Sequence, residues 1–94
     1  MSPSVFEIVT YTVADIDQAQ QGRARAHEAL KSYPGFRGWT PFTAVEGEAV
    51  FIDLVEWDTL ENARAAQDAF LTDPATEAFR AAFGKTIVMK HAVV

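Results

Sequence analysis

Cysteine is absent from the 94-residue chain, which excludes disulfides, thiolate nucleophiles and cysteine-based zinc sites. Clustered cations are lacking too. Eight Lys and Arg stand against thirteen Asp and Glu, a formal net charge of −5 that disfavours nucleic acid or an anionic membrane as a partner. Only two histidines are present, in separate elements, so no metal site is assigned. There is no Gly-rich phosphate loop and no Ser-His-Asp arrangement. No run approaches the ~18 apolar residues of a membrane span, and "MSPSVFEIVTYTV" has no basic stretch leading into an apolar segment. A soluble cytoplasmic protein is expected.

Hydrophobic residues, by contrast, make up 49% of the chain and include seven Phe, two Trp and two Tyr. A chain of this length forms one domain, residues 1–94, and its small core cannot enclose that much apolar surface. The surplus points to an apolar pocket or interface.

"VFEIVTYTV" is rich in β-branched and aromatic residues and predicts a strand over 5–13. Asp15 then offers a helix cap, and Ala19, Arg23, Ala26, Leu30 and Tyr33 recur at helical spacing over 16–32. Alanine on that stripe implies a close approach of helix to sheet. Pro34 and Gly35 end the helix. "FRGWTPFTAV" (36–45) and "AVFIDLVEW" (49–57) flank "EGE" as a hairpin, with Pro41 placing the first of these strands at a sheet edge. "DTLE" is a capping box opening a helix with Leu60, Ala63, Gln67 and Phe70 inward, and Asp73 and Pro74 restart a short helix that Gly84 ends. "KTIVMKHAVV" (85–94) is the last strand.

The order β-α-β-β-α-β is the α+β, ferredoxin-like pattern with a four-stranded antiparallel sheet. Right-handed crossovers put the first and third strands at the centre, the fourth outside the first and the second outside the third. Helices then cover one face of the sheet and leave the other open.

Strand alternation sorts the third strand into Val50, Ile52 and Leu54 against Phe51, Asp53, Val55 and Trp57. The first set is assigned to the helices and the second to the open face, together with Glu7, Val9 and Tyr11 from the first strand and Ile87, Met89 and His91 from the fourth. Antiparallel pairing of the first and fourth strands brings Glu7 near His91. Leaving such a face in water is unfavourable by roughly 1.5 to 3 kcal/mol per large side chain, so a second copy is expected to cover it, forming a homodimer. Any cavity lies between the sheet and its own helices or beside the interface.

The segments "VFEIVTYTV", "YPGFRGW", "DLVEWDTLENARAA", "FLTDPATEAF" and "VMKH" together resemble the antibiotic biosynthesis monooxygenase-like domains of the dimeric α/β-barrel superfamily. The resemblance spans nearly the whole chain, although none of these segments is a catalytic signature. It implies a dimer of ferredoxin-like units forming an α/β barrel. It also implies, among the family's activities, oxidation of quinols or polyketide phenols with neither metal nor flavin. Haem-degrading members use an asparagine on the first strand, a tryptophan in the second helical region and a histidine after it. Here the first strand has no asparagine, and Ala69 and Phe83 stand at the other two positions.

His91 with Glu7 and Asp53 is the one constellation suited to acid-base work. A carboxylate beside an imidazole in an apolar cleft orients the ring and keeps it able to take a phenolic proton. The competing use of His91 is structural. Tyr11, Phe51, Trp57 and Met89 are the candidate substrate-binding residues, with core packing as their alternative. Lys90 points away from His91. Two readings of the chain therefore stand: a cofactor-independent monooxygenase acting on a quinol or other electron-rich aromatic, and a non-catalytic dimer that binds a small apolar ligand or is purely structural.

Overall fold

The computed structural model describes residues 3–94. Strand β1 (Val5–Val13) leads into α1 (Ile16–Leu30), whose cap Asp15 accepts the Gln18 N–H at 3.0 Å. Strands β2 (Phe36–Thr43) and β3 (Val50–Trp57) form the hairpin. Gly35 enters β2 with φ +81°, and a Cβ there would stand 2.1 Å from Asp58 Oδ1, so both conformation and space require glycine. Helix α2 (Leu60–Phe70) is capped by Thr59, which accepts from the Asn62 N–H, while Asp58 accepts from the Asn62 side chain. A 3₁₀ turn (Pro74–Thr76) capped by Asp73 feeds the short α3 (Glu77–Ala81), and β4 (Phe83–Val93) closes the chain.

All neighbours in the sheet are antiparallel and the strand order is β2-β3-β1-β4, with β2 and its Pro41 at one edge. The fold is thus the expected ferredoxin-like α+β arrangement. The last strand starts earlier than the sequence suggests. Gly84 lies inside it, where a Cβ would meet Thr12 Oγ1 at 2.3 Å, and the Lys85 N–H donates to that same hydroxyl at 2.7 Å. Two register shifts follow on β4, which pairs Tyr11 with Thr86 and leaves Ile87 half exposed, off the face on which Met89 and His91 lie.

The two sheet faces are exchanged relative to the sequence expectation. Along β3, Phe51, Asp53, Val55 and Trp57 are buried, whereas Val50, Ile52, Leu54 and Glu56 alternate with them and are partly exposed. Tyr11, Phe51, Val55 and Trp57 pack with Ala19, Ala26, Ala63 and Ala66 of the helices. Both sets on β3 are apolar enough for a core, so alternation alone separates the faces without saying which one meets the helices. Side-chain volume decides: alanines on α1 and α2 leave a gap that the aromatic set fills and the aliphatic set cannot. Glu7, Met89 and His91 belong to the helix face by pairing with Val55, Val9 and Glu7 respectively. The open face instead carries Phe6, Ile8, Phe42, Val50, Ile52, Leu54 and Val88, and Lys90, paired with Ile8, stands on it too.

Candidate active site

Between the sheet and its helices lies a cavity of about 290 Å³. Its sheet wall is made by Glu7, Val9, Tyr11, Trp39, Asp53, Val55, Trp57 and Met89, and its helix wall by Leu30, Ala66, Gln67, Phe70, Leu71 and Phe79. Phe83 and Thr86 complete the lining from β4. Phe79 sits at the centre of an aromatic cluster, with ring centroids 5.9 Å from Tyr11, 5.9 Å from Trp39 and 4.7 Å from Phe83. The small helix residues thus do two things: they bring the helices close, and they leave the aromatic rings as walls.

Beneath α1 a charged pair crosses this apolar layer. Arg23 reaches Asp53 Oδ1 with Nε at 2.9 Å and Nη2 at 2.6 Å, and Nη2 also donates to the Phe42 carbonyl at 2.7 Å. The guanidinium carbon lies 4.0 Å from the Phe51 ring centroid, a cation-π contact. Asp53 Oδ2 accepts the Tyr11 hydroxyl at 2.6 Å. Burial, reinforced by the Asp53 charge and hydrogen bond, raises the Tyr11 pKa, so Tyr11 remains a phenol holding its proton toward Asp53.

Glu7 is the other carboxyl of the cavity. Its Oε1 accepts the Trp57 indole N–H at 3.1 Å. Burial raises its pKa, the nearby Asp53 charge adds to that, and the Trp57 bond opposes it. Glu7 and His91 are direct partners across the β1–β4 ladder, as the sequence suggests. The His91 pKa is lowered, first by burial and then by Arg64, and its buried Nε2 has no hydrogen-bond partner.

Glu7, Tyr11, Asp53, Trp57 and Met89 therefore line one cavity, as a group. Phe51 is fully buried behind that wall and supports Arg23. His91 stands beside Glu7 on the neighbouring strand, outside the lining. Asp53 is engaged on both oxygens by Arg23 and Tyr11. Sequence reasoning put Arg23 on the buried stripe and gave it no role, although a buried arginine among alanines demands a carboxylate opposite it. Phe70, Phe79 and Phe83 serve as packing and lining at once. Among the described residues no group of three His, Cys, Asp or Glu side chains could hold a metal ion, and no helix is long and apolar enough to cross a membrane.

The fold and the cavity together define a ferredoxin-like α+β protein with a ligand-sized space between sheet and helices. No family model and no curated protein matches the chain. Solved structures do. SnoaB, a cofactor-independent oxygenase from Streptomyces nogalater, crystallised as its N63A mutant, superposes with a TM-score of 0.74 over 99% of this chain and 92% of its own, at 20% identity. A candidate antibiotic biosynthesis monooxygenase from Bordetella bronchiseptica reaches 0.77 over 97% and 96%, at 18% identity. MhuD, a haem degrader from Mycobacterium tuberculosis solved with two haems in its active site, reaches 0.70 over 96% and 94%, at 20% identity. Structures named as antibiotic biosynthesis monooxygenases thus share the fold of this chain over nearly its whole length.

Proposed function

We propose that the protein is a cofactor-independent monooxygenase acting on a phenol or quinol, working as a homodimer joined through the open sheet face. The observation that carries this reading is an aromatic-walled cavity with a desolvated carboxyl, Glu7, on its lining. A carboxylate stripped of water is a stronger base than one in solvent, and it here faces the space a flat ring would fill. Tyr11, Trp57 and Met89 hold the ring, while Phe51 braces Arg23 and through it Asp53. The solved oxygenases of the same fold support the reaction class.

In this reading Glu7 takes the phenolic proton, and His91 beside it on β4 is the second group able to hold one. The phenolate transfers an electron to dioxygen. Recombination of the resulting pair forms a C–O bond at a para carbon that bears hydrogen, Glu7 returns its proton to the outer peroxide oxygen, and loss of that hydroxyl with the para hydrogen as water breaks the O–O bond. The para carbon becomes a carbonyl; one oxygen atom enters the quinone and the other leaves in water.

Oxygen uptake with a panel of quinols and hydroxynaphthalenes tests this. Uptake that falls at least tenfold in Glu7→Gln, with ligand binding retained, is the expected result. Full turnover by His91→Ala would remove His91 from the chemistry. Saturable binding of the panel with no oxygen consumption would replace the enzyme reading with that of a binding protein.

A further inference from the structure

The cavity is open at one end and closed at the other. On the side of α2 and β4 its lining includes Gln67, Leu71 and Thr86, all exposed. At the opposite edge of the sheet it ends on Trp39 of β2, which is only 8% exposed. Past Trp39 lies a second space of about 360 Å³, lined by Gln20, Arg23, Ala24 and His27 of α1 and by Pro41 and Thr43 of β2. Gln20, Ala24, Pro41 and Thr43 are exposed, so this second space is a surface groove. Among the described residues, Trp39 alone lines both the cavity and the groove. Its indole packs against His27 of the groove, with ring centroids 5.2 Å apart, and against Phe79 of the cavity, at 5.9 Å. Its buried N–H has no hydrogen-bond partner, so the ring is held by packing alone.

We infer that Trp39 is the end wall that sets the size of the ligand, limiting it to about two fused aromatic rings, given that the cavity is the ligand site proposed above. Trp39 pairs with Val55 and Val55 with Glu7, so the three stand in one row across the sheet. Two strand spacings, about 10 Å, separate the backbone at Trp39 from that at Glu7. A ring system with its hydroxyl on Glu7 and its length along this row meets the indole at its far end. Volume gives the same limit: an apolar cavity of about 150 Å³ holds one benzene ring, and this one measures about 290 Å³. A third ring overlaps a wall that is already close-packed. Removing the indole joins the cavity to the groove and extends the site across the sheet edge.

The test uses 2-naphthol and 2-hydroxyanthracene, which differ by one fused ring, with binding to the whole chain read by fluorescence titration. The unaltered protein is expected to bind the naphthol at least tenfold more tightly. In Trp39→Ala and in Trp39→Leu, which keeps a branched apolar side chain on β2, that preference is expected to disappear or reverse. Adding Ala24→Trp, which refills the groove from α1, is expected to restore it. A role for Trp39 in packing alone would weaken both probes by the same factor, leave their ratio unmoved and overturn the inference. Persistence of hydroxyanthracene binding in the double variant would place the third ring outside the groove and overturn it as well. Equal binding of the two probes by the unaltered protein, a comparison that needs no variant to fold, would overturn the size limit and leave the cavity as the ligand site. Failure of both probes to bind any form would overturn the ligand site together with the inference.

Discussion

Arg23 and Asp53 meet at 2.6 Å from opposite sides of the core, helix α1 and strand β3, with side chains only 8% and 6% exposed. The pair spends a desolvation cost that its mutual attraction and extra hydrogen bonds must offset, and breaking it on one side is far worse than removing it whole. Arg23→Met, which leaves Asp53 buried with only Tyr11 for company, is expected to lower unfolding free energy by about 3 to 5 kcal/mol. Adding Asp53→Leu is expected to recover most of that, with about 1 to 3 kcal/mol still missing because the Tyr11 hydroxyl has lost its acceptor. Urea denaturation of the wild type, both single variants and the double variant measures the cycle; additive losses would show that the two residues are not coupled.

Gly22 gives a sharper opposition of magnitudes. Helix propensity alone favours alanine over glycine by about 1 kcal/mol at an interior position. Yet a Cβ at residue 22 would stand 2.8 Å from both Cα and N of Phe79 and 3.1 Å from the Ala78 carbonyl carbon, all backbone atoms that cannot swing aside. Relief requires α3 to shift away from α1, which moves Phe79 out of the cavity wall, and overpacking of that kind costs about 1 to 3 kcal/mol. Gly22→Ala is therefore expected to be net destabilising in thermal melts. A raised melting temperature would mean that α3 gives way freely.

Much of this was legible in the chain. Caps at Asp15 and Asp73, a helix start at Asp58 or Thr59, the hairpin, the edge position of Pro41 and the pairing of Glu7 with His91 all follow from local chemistry and crossover handedness. The facing of the sheet did not follow, because both residue sets of β3 are hydrophobic and parity distinguishes them without orienting them. The missing orientation was nevertheless encoded in Arg23. A basic residue on the buried stripe of α1 has to meet a carboxylate, and Asp53 sits on the aromatic set of β3. The β4 bulges were out of reach for a different reason: Gly84 is tolerated there by contact with Thr12, a relation of residues far apart in sequence.

The two groups paired across β1 and β4 pull the pH dependence of stability in opposite directions. The Glu7 pKa is raised in the folded state above 4.5, so between 4.5 and that raised value the folded form binds more protons and stability falls as pH rises. The His91 pKa is lowered below 6.5, so between that lowered value and 6.5 the unfolded form binds more protons and stability grows as pH rises. Subtracting the profile of Glu7→Gln from that of the wild type isolates the first effect. The difference is expected to decline with pH from 4.5 upward and then level off. The corresponding difference for His91→Gln is expected to climb toward pH 6.5 and then level off. A flat difference for Glu7→Gln would mean that its carboxyl is as well solvated folded as unfolded.

The open sheet face sets the last expectation. Phe6, Ile8, Ile52 and Leu54 stand together on its two central strands, paired Ile8 with Leu54 and Phe6 with Glu56, and helices cover only the other side. An apolar patch of this kind is unfavourable to leave in water, and an identical sheet related by a two-fold axis presents the same residues back to it. Leu54→Lys places an ammonium in the middle of that surface twice over, once from each copy. It leaves the cavity on the far side of the sheet untouched, so the fold and probe binding are expected to survive while the assembly does not. Sedimentation at micromolar concentration is expected to give a dimer for the wild type and a monomer for Leu54→Lys. A monomeric wild type, or a variant that stays dimeric, would move the subunit contact to another surface.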